Sequence, residues 1–294
     1  MKLLICTQTV DARDTDLGFF IRWIETFAQN CEQVTIFCLH TGVYTLPSNV
    51  TVVKLGANRL SRVFGILSES MKYRHAYDTV FVHMNPEYVV VAGWLWRLLG
   101  KRIALWYMHK NVDFKLRIAT FFVHDIFTAS TESFRLKSKK VQVMGHGIDT
   151  ELFTPDPHIV RGTYWLSVGR LYKSKRHDRA IQTAAAAGRD LRIVGDGPER
   201  ASLERLAQSL HAKVTFVGGV PHSRIRDEFR RAGLFLHTSE TGSLDKLLLE
   251  AIACGCPVQT FNPAFKKYEQ VDAAYIREHH SLSRLIPRII KALS

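Results

Sequence analysis

Two basic residues five positions apart, Arg170 and Lys175, follow the apolar run 164–169 (YWLSVG), where a strand is expected to end at Gly169. A guanidinium fork and a mobile ammonium on one loop can neutralise a diphosphate from two directions. Two further stretches carry groups for the same work. In VGDGPERASLERLA, Gly195 and Gly197 shape a tight turn and Pro198 suits a first helical position; the alternative is a turn without ligand contact. In SETGSLDKLLLEAIACGCPV (239–258), a glycine-containing loop precedes a helix, whose free N–H groups would aim at phosphate. Glu250 lies in that otherwise apolar helix and needs a polar partner if buried. Asp245, directly before the helix, fits an N-cap.

These groups need strands and helices to hold them, and the chain supplies both in alternation. Strand-like runs at 3–7, 34–39, 50–55, 79–83, 103–108, 125–130 and 141–145 are separated mostly by helix-like segments. One helix, near 17–30, sets Leu17, Phe20, Ile24 and Phe27 on one side with Asp16 placed to cap it; Pro86 suits the start of another, which Gly100 would end. After GHGIDTELFTPDPHIVRG, rich in Gly, Pro and Asp, the alternation restarts with strands at 164–169, 191–195, 214–218, 234–238 and 257–261. Continuous apolar strands between helices predict parallel sheets covered on both faces. The expectation is α/β: two doubly wound Rossmann-like domains, 1–158 and 159–294, with ligands beyond the carboxyl ends of the strands. A basic segment, 282–293, has Leu285, Ile289 and Leu293 at helical spacing, so Pro287 must sit in its first turn or bend it.

Of 294 residues, 46% are hydrophobic and 23% charged, which excludes a disordered chain. The net charge is +13, of which +9 falls after residue 156, an excess that suits a phosphorylated ligand, anionic lipid or nucleic acid. Five irregularly spaced cysteines exclude a disulfide framework or a zinc site and fit a reducing cytoplasm. No secretion signal is read before the strand-like KLLIC, and the most apolar stretch (87–108) is broken by Arg97, Lys101 and Arg102. Those bases, beside Trp94 and Trp96, permit docking to an anionic membrane; the alternative is tryptophans in the core beneath a solvated basic surface.

The order of GHGIDTELFTP, VGRLYKSK, LRIVGDGPE, VTFVGGV, AGLFLHTSE and LLLEAIACGCPV resembles glycosyltransferase family 4, retaining enzymes of the two-domain GT-B fold. The resemblance covers most of 140–260 and is looser in the first domain, where YDTVFVHMNP and ALWYMHK look like strands ending near the cleft. It implies an acceptor-side first domain, with Gly18 and His83 near the acceptor, and a second domain that binds a nucleotide diphosphate sugar such as a UDP- or GDP-sugar. Arg170 and Lys175 would stabilise the leaving diphosphate, with Gly169 beside them. Glu250 matches the second Glu of the family's Glu-x7-Glu motif and would bind the ribose. Val217 and Gly197 would fall on loops lining the base pocket, and His109 would face the donor sugar or serve as a structural histidine. No metal or other cofactor is implied.

The chain also departs from that pattern. Gly242 stands where the first Glu is usual, and Asp245 occupies a common glycine position. Glu240 or Asp245 could meet sugar hydroxyls instead, with Gly242, Ser243 and Leu244 completing the donor loop. After the first strand, TQTVDARDTDLGFF has only Gly18 where relatives are Gly-rich, and its DTD is weak ground for a cation. The short tail after Pro257 leaves a more open cleft or one that a partner completes. The leading expectation is therefore transfer of a sugar to a glycan, polysaccharide or lipid-linked acceptor, in the cytoplasm at the inner face of the membrane. The alternative is a non-catalytic GT-B module or sugar-nucleotide-binding subunit. Charge alone suggests nucleic acid, and no nucleic-acid-binding module is present.

Overall fold

A computed structural model describes residues 1–14, 16–109, 111–240 and 245–294. The chain divides into two compact units, one of residues 1–147 with 282–294 and the other of residues 148–281. The expected boundary, between 158 and 159, thus differs from the structural one at both ends.

The first unit is built on seven parallel strands: β1 (Lys2–Val10), β2 (Gln33–Thr41), β3 (Val50–Lys54), β4 (Thr79–His83), β5 (Arg102–Trp106), β6 (Asp125–Thr128) and β7 (Val141–Val143), in the order 3-2-1-4-5-6-7. Central β1 pairs Leu3 with Val34 of β2 and with Thr79 of β4. Leu3 and Ile5 enter one apolar cluster, and Leu4 and Cys6 another. Alternate residues therefore feed two cores, which is why the strand reads as an unbroken apolar run.

The helices of this unit are α1 (Phe20–Asn30), α2 (Arg59–Lys72), α3 (Pro86–Leu98), α4 (Phe114–Phe122) and, from the far end of the sequence, α10 (Leu282–Leu293). In α1, Phe20, Ile24 and Phe27 are buried as their spacing predicts, but Asp16 does not cap the helix. Asp14 Oδ1 instead accepts from the N–H groups of Asp16 (2.8 Å) and Leu17 (2.7 Å), making a turn that delays the helix to Phe20. Pro86 opens α3 as expected, and Gly100 follows its end at φ +69°. Leu282, Leu285, Ile286, Ile289 and Leu293 of α10 complete the same apolar cluster as Phe20 and Trp23 of α1. Pro287 lies inside α10, beyond its first turn.

The second unit has five parallel strands in the order 10-9-8-11-12: β8 (Trp165–Val168), β9 (Leu191–Val194), β10 (Val214–Gly218), β11 (Leu234–His237) and β12 (Val258–Thr260). Its helices are α5 (His177–Ala186), α6 (Arg200–Ser209), α7 (His222–Arg231), α8 (Lys246–Ala253) and α9 (Ala273–His280). Pro198 falls in the turn before α6 rather than at its first helical position. The chain enters and leaves this unit side by side, with the Ile148 N–H donating to the His280 carbonyl at 2.8 Å. All five cysteines are reduced and buried. Among the described residues no helix is long and apolar enough to cross a membrane.

Candidate functional site

Three loops meet at the carboxyl ends of β8, β9 and β11 in the second unit. The Gly169 N–H donates to the Val194 carbonyl (3.0 Å), and Leu171 donates to Asp196 (2.8 Å), so the loops after β8 and β9 run against each other. A Cβ on Gly195 would sit 2.0 Å from the Gly169 carbonyl oxygen, and one on Gly197 would sit 2.7 Å from that of Leu171. Gly195 (φ +142°) and Gly197 (φ +156°) are thus required by close backbone approach and by conformation. Val217, expected on a base-lining loop, lies instead within β10 and packs against the core of this unit; the strand extends past a register shift between Phe216 and Gly218.

Lys175 reaches across from the first loop to the end of β11. The Thr238 hydroxyl donates to the Lys175 carbonyl at 2.8 Å, and the Glu240 N–H to that of Ser174 at 3.2 Å. Arg176, at φ +53°, holds Asp178 at 3.0 Å and also pairs with Glu240. The Lys175 ammonium donates to Asp245 Oδ2 at 2.7 Å, and His237 Nε2 lies 3.5 Å from the same oxygen. Asp245 Oδ1 meanwhile caps α8 by accepting from the Leu247 N–H at 3.1 Å. Burial alone would raise the Asp245 carboxyl, but Lys175 and His237 outweigh it and hold the group well below the usual carboxylate range. Asp245 is therefore both the N-cap and a buried carboxylate facing the expected diphosphate-binding lysine.

One turn further along α8, Glu250 is fully buried. Its Oε1 accepts from His222 Nε2 at 2.9 Å and lies 3.3 Å from the Lys246 ammonium. Burial raises this carboxyl, and His222 and Lys246 more than compensate, leaving it ionised at lower pH than a free glutamate. Its Oε2 has no hydrogen-bond partner among the described residues. A buried carboxylate oxygen without a donor costs about 1–3 kcal/mol, which a ligand hydroxyl would recover.

The structure brings Gly169, Lys175, Gly197, Glu240 and Asp245 into this set of loops, with Arg170 on the loop after β8, its guanidinium 5.5 Å from the Tyr172 ring. Gly242, Ser243 and Leu244 lie outside the described residues. The other three expected residues belong to the first unit. His109 is exposed, its ring edge-on to Tyr107 at 5.7 Å. His83 is buried at the end of β4, stacked on Phe20 at 4.1 Å, and Gly18 sits in the turn before α1. Sequence reasoning missed His237, Thr238 and His222. The strand-ending HTSE could have flagged the first two, and the need of a buried Glu250 for a partner called for the third. A pocket of about 360 Å³ beside the first loop, lined by Tyr172, Lys173, Arg176, Glu199 and Leu203 among others, contains none of the expected donor residues. Among the described residues no group of His, Cys, Asp or Glu is arranged to hold a metal ion.

Two parallel sheets, each with helices between its strands, define a doubly wound α/β protein. Residues 152–291 match the family described as glycosyl transferases group 1. The gpi3 subunit of phosphatidylinositol N-acetylglucosaminyltransferase from Schizosaccharomyces pombe is 32% identical over 129 residues, 41% of this chain and 28% of that protein. A GDP-mannose-dependent alpha-mannosyltransferase of Mycobacterium tuberculosis is 30% identical over 141 residues, 45% of this chain and 36% of that one. The matches therefore span only 28% and 36% of these two relatives' lengths. Anabaena HepE, solved in complex with UDP, superposes with a TM-score of 0.76 at 15% identity, over 100% of this chain and 99% of that one. The fold is GT-B, as the motif order implied.

Proposed function

We propose that the protein is a retaining glycosyltransferase that moves a sugar from a UDP- or GDP-sugar to a lipid-linked or polysaccharide acceptor at the inner face of a membrane. The observation that carries this reading is the pair of bases, Arg170 and Lys175, on the loop after β8, together with the buried Glu250 of α8, whose Oε2 has no hydrogen-bond partner among the described residues. The UDP complex of HepE and the GDP-mannose named for the mycobacterial relative support a nucleotide sugar. In this reading Arg170 and Lys175 stabilise charge developing on the leaving diphosphate, and Glu250 Oε2 accepts from a ribose hydroxyl. Departure and attack occur on one face of the sugar, the leaving phosphate taking the acceptor's proton, so no protein nucleophile is required.

Thermal unfolding with UDP, GDP and their sugar conjugates tests the donor class. A ligand at about 100 times its dissociation constant stabilises the native state by about 2.7 kcal/mol. One nucleotide should shift the wild type and fail to shift Arg170→Ala, and the same substitution should lower turnover about 100- to 1000-fold. Absence of any nucleotide shift overturns the reading.

The second reading is a sugar-nucleotide-binding module without transfer. It is favoured by Gly242 in place of an acid and by the carboxylate already occupying Lys175. The yeast relative's designation as a subunit accords with it. Donor binding with neither transfer nor donor hydrolysis across an acceptor panel would select it.

A further inference from the structure

The first unit carries an outer helical face that is apolar where a protein surface is ordinarily polar. α2, α3 and α4 lie in a row, α3 packing against both neighbours. Leu60 and Phe64 of α2, Leu98 of α3, and Phe114 and Phe121 of α4 are between 69% and 77% exposed, and Trp94 of α3 is half-exposed. The pairs 60/64, 94/98 and 114/121 are spaced to share one face of their helices. The opposite faces are already satisfied: Ile66, Val89, Trp96, Leu116 and Ala119 are buried in the core beneath. Trp96 also donates its indole N–H to Ser70 at 2.9 Å, so only Trp94 of the two tryptophans is on the surface. Single exposed apolar residues are commonplace, but large ones recurring along three adjacent helices mark an interaction surface.

Charge and shape identify the occupant. The three helices bear six bases (Arg59, Arg62, Lys72, Arg97, Lys115, Arg117) against two acids, Glu69 and Glu87. Between α2 and α3 runs a groove of about 510 Å³ with an apolar lining that includes Leu55, Val63, Ile66, Val90 and Val91. Arg59, Arg62 and Lys115 also line it, with Glu87 as its acid, paired to Lys115. An apolar trough edged by cations matches an amphiphile with an anionic head, and the exposed aromatic residues of the same three helices match the interfacial layer of a bilayer.

We propose that this face docks on an anionic membrane, seating a lipid phosphate among Arg59, Arg62 and Lys115 and the adjoining acyl region along the apolar floor of the α2–α3 groove. Docking deepens the reading of a lipid-linked acceptor yet is measurable without any transfer.

Flotation of the full chain with vesicles tests it, comparing pure phosphatidylcholine with equal parts phosphatidylcholine and phosphatidylglycerol. The wild type should float with the anionic vesicles only, and less as salt is raised. Leu60→Ser/Phe64→Ser and Phe114→Ser/Phe121→Ser should each weaken binding about tenfold or more at fixed salt. Arg59→Ala/Lys115→Ala should weaken it and flatten the salt dependence. These side chains are exposed, so unchanged thermal unfolding is expected and confirms folded variants. No flotation at low salt, equal flotation with both vesicles, or undiminished binding by folded variants overturns the proposal. Failure of nucleotide binding leaves it standing and removes only the transfer reading.

Discussion

Asp245 combines two duties that sequence ordinarily gives to different residues. It caps α8 and neutralises Lys175. A diphosphate entering this site must compete with a carboxylate for the ammonium. Asn caps helices about as well as Asp, so Asp245→Asn should keep α8 in place and release Lys175. We expect about tenfold tighter binding of UDP or GDP by calorimetry, equivalent to about 1.4 kcal/mol; weaker binding would instead make Asp245 the group that aims the lysine. The cap was legible in the sequence because it depends on the next two residues. The ion pair was not, because its partners are 70 positions apart and meet only through the fold. His177 supplies a further check at this scale. It is buried, its Nδ1 is 2.8 Å from the Ser167 hydroxyl, and burial pushes its pKa down to about 4. The unfolded chain then binds the proton first. Stability is intact above the ordinary histidine value near pH 6.5 and falls as pH drops toward about 4, by up to about 3 kcal/mol. Denaturant titrations across that range should show the slope in the wild type and a flatter one in His177→Gln.

At the scale of elements, the alternation of apolar runs and amphipathic segments displayed nearly the whole fold. Every expected strand is present, because strands buried on both faces leave an unmistakable apolar signature. What escaped was decided by neighbours. Asp16, read as the cap of α1, instead donates its N–H to Asp14 Oδ1, in a turn that delays the helix to Phe20. α9 was not expected, since AAYIREHH buries only Ile276 and His280 and lacks an apolar stripe. The loop after β9 gave a clear glycine signal with two meanings, ligand approach or backbone approach. The structure shows backbone approach at Gly195, where a methyl group would meet the Gly169 oxygen. Gly195→Ala should therefore destabilise the second unit by at least about 2 kcal/mol and weaken nucleotide binding by displacing the Arg170 loop, read by denaturant titration and calorimetry. A variant as stable as wild type would mean that the two loops separate readily.

For the whole molecule, the composition of α10 did not disclose its allegiance. An apolar stripe of Leu285, Ile289 and Leu293 fits any helix-lined core, and proximity in sequence favoured the second domain. The structure gives it to the first, where Ile289 is fully buried within the cluster around α1. Ile289→Ala should cost about 2–5 kcal/mol in the first unit's unfolding transition and leave the second unit's nucleotide affinity unchanged. A fragment of residues 1–147 should accordingly expose that face and aggregate, whereas adding residues 282–294 as a separate peptide should restore solubility.

The same placement orders the protein's birth. The 134 residues of the second unit are translated between the last strand of the first unit and the helix that closes it. At roughly 5–20 residues per second, the nascent first unit waits about 7–27 s with an apolar face open to solvent. During that interval the second unit can fold as it emerges, so the later-made half is completed first and the earlier half stays incomplete until its final helix arrives.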